Sequence, residues 1–112
     1  MRVSIVAGIL LAAVAAAPAG ADSPTNIPVT LQDHKFTPSE IHIAAGKPAM
    51  LTITNKDATP EEFDSSALQI EKVIGGNQYG TVRLRPLGPG RYPFMGEYHS
   101  DTAQGVVVSD AP

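Results

Sequence analysis

The sequence contains no cysteine. That absence removes disulfides, thiolate nucleophiles, iron–sulfur clusters and every metal site that depends on a thiolate ligand. The compact signatures of common enzymes are missing too. No Gly-x-Ser-x-Gly elbow presents Ser65 or Ser66 as a nucleophile, and Gly75-Gly76 does not open a helix that would cradle phosphate. No stretch shows an internal repeat or a convincing helical period. Basic charge is also sparse: 11 acidic side chains outnumber 8 basic ones, giving a net charge of −3. An acidic balance of this kind argues against binding to nucleic acid or to an anionic membrane surface.

The first feature present is an export signal. Met1-Arg2 supplies a positive start, Val3 to Ala17 an apolar run, and Pro18-Ala19-Gly20-Ala21 the small residues of a cleavage site. The run is too short to span a bilayer comfortably, and polar Asp22 to Asn26 follows it directly. Residues 1–21 are therefore expected to be a removed signal peptide. Residues 22–112 are expected to form one domain, periplasmic or otherwise exported, that is not itself transmembrane. A domain so small and without disulfides must close efficiently or gain stability from a ligand or partner.

From Val29 onward the pattern is β. Glu40-Ile41-His42-Ile43 alternates with Ile41 and Ile43 inward and His42 outward, and Met50 to Asn55 alternates with Leu51 and Ile53 on one face. Val82 and Leu84 repeat the pattern, and Val106-Val107-Val108 closes it. Leu68, Ile70, Val73 and Ile74 have an ambiguous period. Ala45-Gly46-Lys47-Pro48, Gly75-Gly76-Asn77 and Pro86-Leu87-Gly88-Pro89-Gly90 punctuate the runs as turns. About seven short strands at regular spacing predict an all-β sandwich.

An ordered set of short pieces then resembles the cupredoxins. It comprises Phe36-x-Pro38, Ala45-Gly46-Lys47, Leu51 to Asn55 with Asp57 after it, Leu87-x-Pro89-Gly90-x-Tyr92-x-Phe94, a loop containing His99, and Gly105 to Val108. The resemblance covers residues 27–109 and implies a Greek-key β-sandwich. Carried over position by position, it puts Glu62 where blue-copper proteins have their first histidine, and Met95 where they have cysteine. It retains His99 and puts Ala103-Gln104 at the axial position. The implied metal ligands are Glu62, Met95 and His99, with Glu97, Asp101, Glu61 and Asp64 flanking them. His34, with Asp33, is a candidate for a second site, whereas His42 reads as a surface histidine. Carboxylate and imidazole suit several divalent ions, and a thioether shifts the preference towards copper. The implied cofactor is thus a copper and/or iron ion.

Glu62-Phe63 and Gly96-Glu97-Tyr98-His99 also resemble the cysteine-free periplasmic proteins that accompany bacterial ferrous-iron permeases. That resemblance implies a metal-binding component of ferrous-iron uptake, with an inner-membrane iron permease and other periplasmic uptake proteins as partners. Copper-dependent Fe(II) oxidation before transport is one form such a role takes. The alternative is periplasmic copper binding or delivery without turnover.

Overall fold

The structure, a computed structural model, describes residue 4 and residues 23–112; the expected signal peptide otherwise lies outside the described residues. No helix among the described residues is long and apolar enough to cross a membrane. Among the described residues, nine strands form two packed sheets. They are β1 (Thr25–Gln32), β2 (Lys35–Thr37), β3 (Glu40–Ala44), β4 (Ala49–Asn55), β5 (Glu61–Ser65), β6 (Ile70–Ile74), β7 (Tyr79–Leu84), β8 (Gly90–Gly96) and β9 (Gln104–Asp110). A single 3-10 turn, Glu97–His99, separates β8 from β9.

One sheet runs β2-β1-β4-β7 and the other β3-β9-β8-β5-β6. Two of the pairings, β1 with β4 and β3 with β9, are parallel, and the rest are antiparallel. The sequence expectation was about seven strands. The two extra ones have little periodicity to read. β2 has only three residues, Lys35-Phe36-Thr37, and β6 is an edge strand that buries little besides Ile74.

Alternation decides what lies between the sheets. Ile41 and Ile43, Leu51 and Ile53, and Val82 and Leu84 are all buried, as period two requires. Phe36, Phe63 and Phe94 meet in the middle. Phe63 and Phe94 lie stacked at 4.8 Å, and Phe36 sets its edge on Phe94 at 5.1 Å, both within the favourable range for ring pairs. Tyr92 donates its hydroxyl to the Gly88 carbonyl at 2.8 Å and so ties the loop before β8 to the strand itself. This aromatic core underlies the end of the sandwich where β1 turns into β2, β4 leads to β5, and the 3-10 turn sits.

Candidate metal centre

Glu61 opens β5. Because Phe63 is anchored in the core and side chains alternate along a strand, Glu61 is drawn inward as well. Its residue is 1 % exposed, and a carboxylate so buried needs partners. It has three. Oε1 accepts the backbone N–H of Tyr98 at 2.9 Å and of Glu62 at 3.1 Å, and Oε2 lies 2.5 Å from Nδ1 of His99. An ionised carboxylate only accepts, so Nδ1 of His99 is the donor, and in the neutral imidazole Nε2 keeps its lone pair for another ligand. A carboxylate that holds one imidazole nitrogen so that the other is free is the usual support for a metal-binding histidine.

The 3-10 turn that carries His99 is itself fixed. Gly96 N–H bonds to the Ala103 carbonyl at 2.7 Å, and Ala103 N–H returns to the His99 carbonyl at 2.8 Å. On the other side of His99 lies His34, its ring 3.5 Å away centroid to centroid and tilted by only 12°. His34 comes from the two-residue turn between β1 and β2. The turn backbone is held by Asp57 in the β4–β5 loop, whose Oδ1 accepts Asp33 N–H at 2.8 Å and Oδ2 His34 N–H at 3.0 Å. The His34 N–H, foremost, keeps the Asp57 carboxyl below its ordinary value of 3.8. The Asp33 N–H and the nearby imidazoles act in the same direction, and partial burial opposes them.

The structure therefore divides the residues singled out from the sequence. His99, Glu61 and His34 come together at one end of the sandwich. Glu62 and Met95 do not join them. Glu62 stands opposite Val73 and Met95 opposite Asp64, so both project from the outer face of the second sheet. Met95 is 39 % exposed. Glu62, expected at the first ligand position, faces outward, and it is Glu61, one of the flanking carboxylates, that the Phe63 anchor turns inward to His99. The signal was available: counting back two from the apolar Phe63 reaches Glu61. His34 also departs from its expected separate site with Asp33 and lies instead against His99.

On the outer face, Glu62, Asp64 and Glu71 bring carboxylate oxygens within 4.8 Å of one another. Glu97 joins the crowd. Its hydrogen bond with Asp64, followed by the charges of Asp64, Glu62 and Glu71, raises it above the ordinary 4.5. Asp101 is exposed in the loop after the turn. At the far end of the molecule His42 projects from β3, as expected, and meets Asp110 at 2.9 Å.

The donor set at the His34–His99 end can be tested against copper. Imidazole nitrogens suit Cu(II), and the inner carboxylate supplies the second-layer support that a ligating histidine needs. A trigonal blue-copper centre does not fit, since it requires a thiolate and the chain has none. The two imidazoles, stacked at 3.5 Å, are nitrogen donors of a kind that copper accepts.

Residues 4–109 match the family model of the cupredoxin-like domain. The uncharacterized protein RP394 of Rickettsia prowazekii (strain Madrid E) is 37% identical over 87 residues, covering 78% of this chain and 70% of that protein. Among solved structures, the metal-binding domain of the Cu(I)-exporting P-type ATPase CopA of Streptococcus pneumoniae, with Cu(I), superposes with a TM-score of 0.65 at 20% identity, covering 76% of this chain and 84% of that one. Auracyanin A, a "blue" copper protein of Chloroflexus aurantiacus, gives 0.66 at 15% identity, covering 79% of this chain and all of that one. At these identities the structural likeness speaks for the fold, and the matched segment takes in every strand apart from the last residue of β9. The chain belongs to the cupredoxin-like domain family.

Proposed function

We propose that this protein binds copper at the β1–β2, β4–β5 and β8–β9 end of its sandwich, through Nε2 of His99 and the imidazole of His34, with Glu61 holding His99. The observation that carries the reading is the buried Glu61 carboxylate, 2.5 Å from Nδ1 of His99, with a second imidazole stacked on the same ring. Glu61 already accepts three N–H groups. The donors left for an ion are mainly nitrogen, which favours copper over harder ions that prefer several oxygens. A bound copper would supply one-electron redox chemistry, while the chain's residues orient its ligands.

Titrating the purified protein with Cu(II), Cu(I), Fe(II) and Zn(II) tests this. Copper binding that is lost in His99→Ala is expected. Copper binding unchanged by His99→Ala would place the ion elsewhere.

A second reading gives the copper centre a periplasmic role in ferrous-iron uptake, with Fe(II) as substrate and a permease as partner. Its support is that Gly96-Glu97-Tyr98-His99, the segment resembling the iron-permease accessory proteins, is the stretch that builds the site. Oxygen consumption with Fe(II) separates the two readings. A rate that depends on both copper and His99 supports oxidation, and equal rates for apo, copper-loaded and His99→Ala protein leave copper binding without turnover.

A further inference from the structure

The β1–β2 turn is unusual for its residues. Asp33 and His34 both adopt left-handed backbone, with φ of 54° and 57°. Two consecutive positive φ values joining paired residues Gln32 and Lys35 make a tight hairpin turn of the kind that Asn-Gly or Asp-Gly normally fills. No glycine is present here, so the histidine occupies a conformation that its Cβ disfavours. Something must select it.

Asp57 does so from 23 residues away. Its two carboxylate oxygens each take one of the two N–H groups that the left-handed turn turns outward, at 2.8 and 3.0 Å. Asp57 is in turn attached to the rigid part of the fold. Its N–H bonds to Oδ1 of buried Asn55 at 3.0 Å, and its carbonyl accepts Asn77 N–H at 2.9 Å. Asn55 is anchored by its amide, which donates to the Thr59 carbonyl at 2.9 Å and reaches the Ile74 and Gly75 carbonyls at 3.3 Å. A continuous path therefore runs from the end of β4, through Asn55 and Asp57, to the backbone of the turn that presents His34 to His99.

We infer that Asp57 is the positioning residue of this site: its carboxylate clamps the Asp33-His34 turn in its left-handed form and so delivers the His34 imidazole to His99. The purpose of that delivery rests on the copper reading above. The clamp itself is a property of the metal-free protein and is tested there as well. The Asp57 carboxylate hydrogen-bonds the backbone of the turn, so it sets the place of the His34 ring.

The test compares wild type, Asp57→Ala, Asp57→Asn, His34→Ala and the double variant Asp57→Ala/His34→Ala as purified proteins. Ring contact between His34 and His99 is followed by NMR without metal. Cu(II) affinity is measured, and nitrogen ligands are counted from the electron paramagnetic resonance spectrum. Asp57→Ala is expected to lose the ring contact in the metal-free protein and one nitrogen from the copper spectrum. Its affinity should fall by about 10- to 100-fold, the range for groups that orient a ligand. The double variant should show the nitrogen count of His34→Ala, because two changes acting on one link do not add. Asp57→Asn keeps one acceptor oxygen and should fall between wild type and Asp57→Ala, which preserves the test if the alanine variant does not fold. An unchanged ring contact and nitrogen count in folded Asp57→Ala would overturn the inference, as would the loss of a further nitrogen ligand in the double variant relative to His34→Ala. Wild type that binds no Cu(II) would sink the copper reading alone, and the ring contact in the metal-free protein would still decide the role of Asp57.

Discussion

Gly96 and Glu61 compete for the same space: a methyl group on Gly96 would lie 2.5 Å from Cδ of Glu61 and 2.7 Å from Cβ of Ala103. The last residue of β8 is therefore small because the carboxylate that holds His99 is buried against it. Gly96→Ala must push Glu61 aside or shift the 3-10 turn. It is expected to cost about 1–3 kcal/mol of stability, as overpacking of a filled interior does, and to weaken copper binding along with it. Urea unfolding and Cu(II) titration of the variant check both. A variant of wild-type stability and affinity would mean that Glu61 is not confined as described.

Neighbouring glutamates should behave in opposite ways. Glu61→Ala strands the Nδ1 proton of His99 and the N–H groups of Tyr98 and Glu62. These donors are part-buried, so leaving them unpartnered costs up to about 1–3 kcal/mol each, and destabilisation with loss of copper affinity is expected. Glu62→Ala removes an outward-facing side chain and should stay within about 0.5 kcal/mol of wild type, with copper affinity unchanged. Met95→Ala should likewise leave affinity unchanged. If Glu62→Ala or Met95→Ala abolishes binding while Glu61→Ala spares it, the ion sits on the outer sheet face.

The pH dependence of stability should show two limbs of opposite sign. Asp57 titrates below its ordinary value of 3.8 in the folded protein, so the stability it contributes is complete above that value and fades as pH falls towards the folded one. Glu97 titrates above its ordinary 4.5, so the native state holds its proton longer than the unfolded chain, and stability falls as pH rises from 4.5 through the folded value. Asp57→Asn should flatten the first limb and Glu97→Gln the second in denaturant titrations across this range. Glu97→Gln leaving the upper limb intact would argue against carboxylate crowding at Asp64.

Copper-loaded protein should absorb only weakly in the visible. The intense band of blue centres needs a copper–thiolate bond, which this chain cannot form. Intense thiolate-type absorption in the Cu(II) protein would contradict the nitrogen donor set.

The fold was largely legible because its buried faces follow period two: Ile41 and Ile43, Leu51 and Ile53, Val82 and Leu84 each disclose which side of a strand meets the core. The site was legible in part. His99 could be placed by its loop, but the choice between Glu61 and Glu62 turns on a single step of alternation, and β5 is too polar for its strand character to stand out. His34 was the least readable, because its partner on the ring and the carboxylate that holds its turn lie 65 and 23 residues further along. No local pattern records such contacts; they exist only once the two sheets have closed.

The strand order has a kinetic consequence. β1, the first of the described strands, lies inside its sheet between β2 and β4, and β9, the last of them, lies inside the other between β3 and β8. Each is flanked on one side by a parallel neighbour, a pairing that needs a long closure before any contact rewards it. A growing chain lacking residues 104–110 leaves β3 and β8 with open edges where β9 belongs, so no shorter piece ending before β9 completes the second sheet. Folding of the second sheet waits for the final strand, so its native contacts close together at the end of synthesis rather than piece by piece.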